Sequence, residues 1–94
     1  MAEHLVRIRA TARGRVQMVG YRAFVQQHAQ ELGIRGEVAN RPDGSVEVVM
    51  EGPRPAVERM TELLRRGPSF ARVEQLDVHE EAARGALPPM RVTS

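Results

Sequence analysis

Residues 6–22 read Val6-Arg7-Ile8-Arg9-Ala10-Thr11-Ala12-Arg13-Gly14-Arg15-Val16-Gln17-Met18-Val19-Gly20-Tyr21-Arg22, and the periodicity of the chain changes once within them. Val6, Ile8, Ala10 and Ala12 alternate with Arg7, Arg9, Thr11 and Arg13, the two-residue repeat of a half-buried strand. From Tyr21 the repeat lengthens. Tyr21, Phe24, Val25, His28, Ala29 and Leu32 recur at helical spacing, leaving Gln26, Gln27, Gln30 and Glu31 for the outer face. Between strand and helix, Gly14 and Gly20 bracket a short apolar loop. A loop that enters a helix N-terminus turns several backbone N–H groups toward one point, where the helix dipole adds partial positive charge. Arg22, in the first helical turn, brings a planar charged fork suited to phosphate oxygens. This stretch therefore predicts a strand, a small anion cradle and a helix.

Working outward, Gly33 before apolar Ile34 is a helix C-cap signal. A second strand is expected over residues 35–40, and Val46, Val48 and Met50 alternate through a third. Arg41-Pro42-Asp43-Gly44 between them is turn chemistry, which joins the two as a hairpin. Pro53-Arg54-Pro55 opens a second helix with Ala56, Val57, Met60, Leu63 and Leu64 on its apolar side. Arg65 and Arg66 suit its last turn, and Gly67-Pro68 ends it. Residues 71–80 predict a fourth strand through Val73, Leu76 and Val78. After a loop-like stretch, Met90-Arg91-Val92 predicts a short edge strand. The order β-α-β-β-α-β is the split arrangement of ferredoxin-like α+β sandwiches, with two helices on one face of a four- to five-stranded antiparallel sheet. In that topology the first two strands run parallel with the third between them. Asn40 then approaches the loop that ends at Arg22.

Ninety-four residues suit a single domain spanning 1–94. The absence of cysteine excludes disulfides and thiolate chemistry. The first residues, Met1-Ala2-Glu3-His4-Leu5-Val6-Arg7, are charged too early for a secretory signal, and no apolar run approaches membrane-spanning length. A cytoplasmic monomer with no membrane partner is expected. Net charge is only +2, although the pI is about 10.4, because every basic residue is arginine. Arg7, Arg9, Arg13, Arg15 and Arg22 crowd the first quarter, which raises the local positive field; for Arg7 and Arg9 a solvated strand face is the expectation.

The two glycine-bearing segments resemble the signatures of the acylphosphatase family. That family's first motif runs Gly-x-Val-Gln-Gly-Val, one variable residue, an aromatic and Arg; here it reads Gly14-Arg15-Val16-Gln17-Met18-Val19-Gly20-Tyr21-Arg22. The second runs Gly-aromatic-Val-x-Asn, a turn, Gly-x-Val and a closing Gly. Here that is Gly36-Glu37-Val38-Ala39-Asn40-Arg41-Pro42-Asp43-Gly44-Ser45-Val46, with Gly52 beyond. The resemblance implies hydrolysis of carboxyl-phosphate anhydrides to a carboxylate and orthophosphate, with no metal or other cofactor. It implies that Arg22 clamps the phosphoryl oxygens with backbone N–H groups of Arg15, Val16, Gln17, Met18, Val19 and Gly20, and that Asn40 orients the attacking water. So sparse a site suffices chemically. The leaving carboxylate has a conjugate acid of pKa near ~4 and needs little protonation, and the loose transition state of phosphoryl transfer asks mainly for positioning and charge stabilisation.

Two positions depart from the family pattern. Met18 stands where glycine is usual; an ordinary φ is expected there, since Gly14 and Gly20 remain for the awkward turns. Glu37 replaces the aromatic. For Gln17, contact with ligand and hydrogen bonding within the loop fit equally well. The methionines and the helical apolar stripes read as core. His4, His28 and His79 have no ligand-spaced partner, so no metal site is expected, and His28 reads as a boundary residue. The serines lack a His-acid constellation, and a nucleotide P-loop needs a lysine this chain does not have. Tyr21, Phe24 and Phe70 are the only aromatics, too few for the stacking platform of an RNA-binding sheet. The rival reading is a non-catalytic phospho-ligand or protein-binding module of the same fold.

Overall fold

The computed structural model describes residues 4–94, so the reading of the first three residues lies outside it. β1 (Leu5–Arg15) leads through the loop to α1 (Tyr21–Glu31), β2 (Arg35–Asn40), β3 (Val46–Pro53), α2 (Arg54–Arg66), β4 (Arg72–Glu81) and β5 (Arg91–Val92). The sheet order is β4-β1-β3-β2-β5. β1 is antiparallel to both β3 and β4, and β2 to β3, but β5 lies parallel to β2. The sheet is therefore mixed rather than purely antiparallel. The connection from β4 to β5 joins opposite edges and brings the chain back alongside β2 in the same direction. Among the described residues, no helix is long and apolar enough to cross a membrane.

The period-two residues of β1 build the core. Val6, Ile8, Ala10 and Ala12 are buried with Val46, Val48 and Met50 of β3 and Val38 of β2. Against them pack Tyr21, Val25 and Ala29 of α1 and Val57, Met60, Leu63 and Leu64 of α2. The Tyr21 hydroxyl donates to the Leu64 carbonyl at 2.7 Å, tying the start of α1 to the end of α2, and burial pushes its pKa far up. α1 ends in a Schellman arrangement. The N–H of Gly33 (φ +70°) donates to Gln30 O and that of Ile34 to Ala29 O.

Arg7 corrects an expectation. It is buried, not solvated, because residues 82–90 cross the helix-free face of the sheet on their way to β5. Glu51, also buried, holds that crossing: its carboxylate accepts the N–H groups of Arg84 (2.9 Å) and Gly85 (2.6 Å) and lies 3.6 Å from Arg7. Arg7 Nε lies 3.4 Å from Glu81 but is not aimed at it, and so has no hydrogen-bond acceptor among the described residues. Arg9, as expected, is more open and pairs with Glu81 at 3.1 Å and Glu47 at 3.5 Å. Removing the Glu51 carboxylate leaves two part-buried amides and a buried guanidinium short of partners. We expect Glu51→Ala to lose about 2–4 kcal/mol in urea unfolding. A loss under about 1 kcal/mol would mean that water substitutes for the carboxylate.

Candidate active site

The first loop is aimed by a defect in the sheet. The β1–β4 register shifts between Arg13 and Gly14, and Gly14 adopts φ +122°. A Cβ there would lie 2.3 Å from the Arg72 carbonyl oxygen, so only glycine lets β1 bulge this close to β4 and turn off toward α1. Gly20 then caps α1 at φ +80° with no side-chain acceptor, and the first turn of α1 carries no acidic residue. Among the described residues, no backbone N–H from 16–23 donates to a protein acceptor; the first helical bond is Phe24 N–H to Gly20 O at 3.0 Å. A row of unspent donors at a dipole terminus without acidic neighbours has the chemistry to receive an anion.

Arg22 is half-buried one residue into α1 and makes no ion pair or hydrogen bond among the described residues. Asn40 ends β2. Its backbone is held on both sides, in register with Val46 of β3 and by its N–H donating to Ser94 O at 2.9 Å. Its side chain is held by nothing among the described residues: Oδ1 is buried without a partner there. Arg22 and Asn40 line one cavity of about 280 Å³ together with Val16, Met18, Gly20 and Tyr21. A buried unpaired amide oxygen is costly unless a ligand or water completes it.

Gln17 and the turn keep the two halves of this site in register. Both Nε2 hydrogens of Gln17 are used, donating to Arg41 O (2.8 Å) and Ser45 O (2.9 Å) across the hairpin. Asp43 Oδ1 accepts the Ser45 amide (3.0 Å) and hydroxyl (2.6 Å), and Oδ2 faces Arg13 at 3.2 Å. The Ser45 donors, with Arg13 assisting, hold the Asp43 carboxyl down at about 2. Because that value lies below the unfolded one of about 4, the charged lock is complete above pH 4 and is lost as pH falls through 2. Carboxyl NMR should find the Asp43 midpoint near 2; a midpoint near about 4 would show a free carboxylate. Gln17→Ala unclips the loop from the hairpin, and we expect kcat to fall about tenfold with the fold intact. Unchanged kcat would show that the clip is dispensable.

A family model described as Acylphosphatase matches residues 8–88. The chain belongs to the acylphosphatase family. An acylphosphatase of Thermus thermophilus is 54% identical over 78 residues, 81% of this chain and 89% of the relative. One of Deinococcus radiodurans is 49% identical over 72 residues, covering 77% and 83%. The crystal structure of the Bacillus subtilis acylphosphatase superposes with a TM-score of 0.91 at 34% identity, covering 95% of this chain and 99% of that one.

Within the acylphosphatase motifs, several expectations need revision. Met18 does not keep an ordinary φ; it sits at +62°, the one non-glycine residue with positive φ among those described, and its side chain is fully exposed rather than in the core. That conformation costs a non-glycine residue about 1–2 kcal/mol. Of the loop residues, Val16, Met18 and Gly20 line the cavity, whereas Arg15, Gln17 and Val19 do not. Arg15 is exposed at the end of β1 opposite Arg72, and the Gln17 side chain serves the hairpin. Gln26 is not an outer-face residue. It lines the cavity with Ala23 and donates to Met90 O at 3.4 Å; its spacing of four from Arg22 was the signal for a shared face. Val92, on β5, completes the wall, and nothing local in the sequence foretells it. Glu37 turns the family's aromatic position into an ion pair with Arg91 that ties β2 to β5 (2.9 Å from Nε). His28 lies at the boundary as expected, edge-on to Phe24 at 4.5 Å and 3.2 Å from Glu31.

Proposed function

We propose that this chain hydrolyses acyl phosphates in the cavity shared by Arg22 and Asn40, with the roles as follows. The phosphoryl oxygens take the unspent N–H groups of the loop and the start of α1, and the Arg22 guanidinium spans two of them as a fork. Oδ1 of Asn40 accepts a hydrogen bond from water and holds it in line with the bond to be broken; an amide oxygen orients but does not act as a strong base. Water oxygen bonds to phosphorus as the phosphorus–oxygen bond to the acyl group breaks. The acyl group leaves as a carboxylate with both electrons, and the proton of the water passes to a phosphate oxygen. The products are a carboxylate and orthophosphate.

The observation that carries this reading is the meeting of three unsatisfied partners in one cavity: free amides, an unpaired guanidinium and an orphaned amide oxygen. Family membership supplies the substrate class. All the groups invoked come from one chain, which supports a monomeric catalyst. Charge is neutralised by Arg22 and the dipole, so no step calls for a metal ion. Benzoyl phosphate should therefore be hydrolysed in excess EDTA, with orthophosphate a competitive inhibitor. Activity abolished by EDTA and restored by a divalent cation would contradict the reading, as would non-competitive inhibition by orthophosphate.

A further inference from the structure

The roles given to Arg22, Asn40 and the loop amides leave the side chain of Met18 unexplained. It is fully exposed on left-handed backbone, so no packing within the chain offsets the conformation it imposes. It nevertheless lines the same cavity as Arg22 and Asn40, and so does Val92, which is 40% exposed. Charge and N–H donors serve only the phosphoryl half of an acyl phosphate. The acyl half is larger, variable and often apolar, and the apolar side chains at this cavity are what it meets.

We propose that Met18, with Val92, forms an apolar lip that reads the acyl group and favours aromatic acyl phosphates over acetyl phosphate. The inference rests on the acyl phosphate reading above and adds to it the residues that set a substrate preference. A thioether on a flexible three-bond stem adapts to ligands of different outline and makes favourable contacts with the edge of an aromatic ring. Acetyl phosphate offers a single methyl group and gains little from it. The contact forms only with ligand present, which accounts for an apolar side chain left in water in the free protein.

The test is the ratio of kcat/KM for benzoyl phosphate to that for acetyl phosphate, measured in the full chain and in Met18→Gly and Met18→Asn. Glycine and asparagine both accept positive φ, so the loop keeps its path while the thioether is lost. The ratio should fall roughly three- to tenfold in both variants, chiefly through KM for benzoyl phosphate. Val92→Thr, which exchanges a methyl for a hydroxyl at constant shape, should lower it less and in the same direction. A ratio that stays constant or rises in either Met18 variant overturns the lip while leaving acyl phosphate hydrolysis standing. A wild-type chain that hydrolyses neither substrate overturns both.

Discussion

Arg22→Lys should lower kcat/KM for benzoyl phosphate by about 10³-fold while the fold survives. The two side chains carry the same charge, so the loss measures geometry. A guanidinium presents parallel N–H donors to two oxygens at once, whereas an ammonium is a point charge on a flexible stem and cannot replace the fork. The half-buried position sharpens the contrast. Arg22 has no protein partner among the described residues to share its hydrogen bonds, so all its donors are free for ligand. Orthophosphate affinity should weaken in parallel, since the product keeps the same oxygens. A variant with wild-type turnover and a wild-type circular dichroism spectrum would remove Arg22 from the phosphate site.

Asn40→Ala should behave differently. We expect kcat to fall about 10²- to 10³-fold while inhibition by orthophosphate changes little, because Asn40 acts on the water and not on the phosphoryl group. The structural basis is Oδ1, buried and without a partner among the described residues, on a residue whose backbone is clamped between β3 and Ser94. Truncation removes an unsatisfied group, so stability should not suffer much. Equal losses in kcat and phosphate affinity would identify Asn40 as a structural residue of the hairpin instead.

What was legible in the sequence, and what was not, divides along the range of the interactions. The β1 alternation, the change of period at Tyr21 and the turn at Asp43 and Gly44 are local patterns, and each element they announce is present within a residue or two. Arg22 and Asn40 were legible as a pair because the order of elements alone brings the ends of β1 and β2 together. Arg7 was misread because alternation says which face of the sheet a residue takes, not what lies on that face; the 82–90 crossing, fixed by Glu51 from the middle of the sheet, is non-local. Val92 reaches the cavity through a parallel pairing with β2, equally invisible to periodicity. Met18 failed for a different reason. Its φ is set by the closure of the whole loop between the Gly14 bulge and the Gly20 cap, and counting the neighbouring glycines does not determine it.

Everything rests on a phosphoryl group held by the amides of residues 16–23 and by Arg22. The most direct test follows backbone and guanidinium N–H resonances during titration with orthophosphate. The loop amides and the Arg22 side chain should shift together along one saturation curve, with a midpoint equal to the inhibition constant against benzoyl phosphate. Shifts confined to the helix-free face around Arg7 and Arg9, with the loop resonances unmoved, would contradict it.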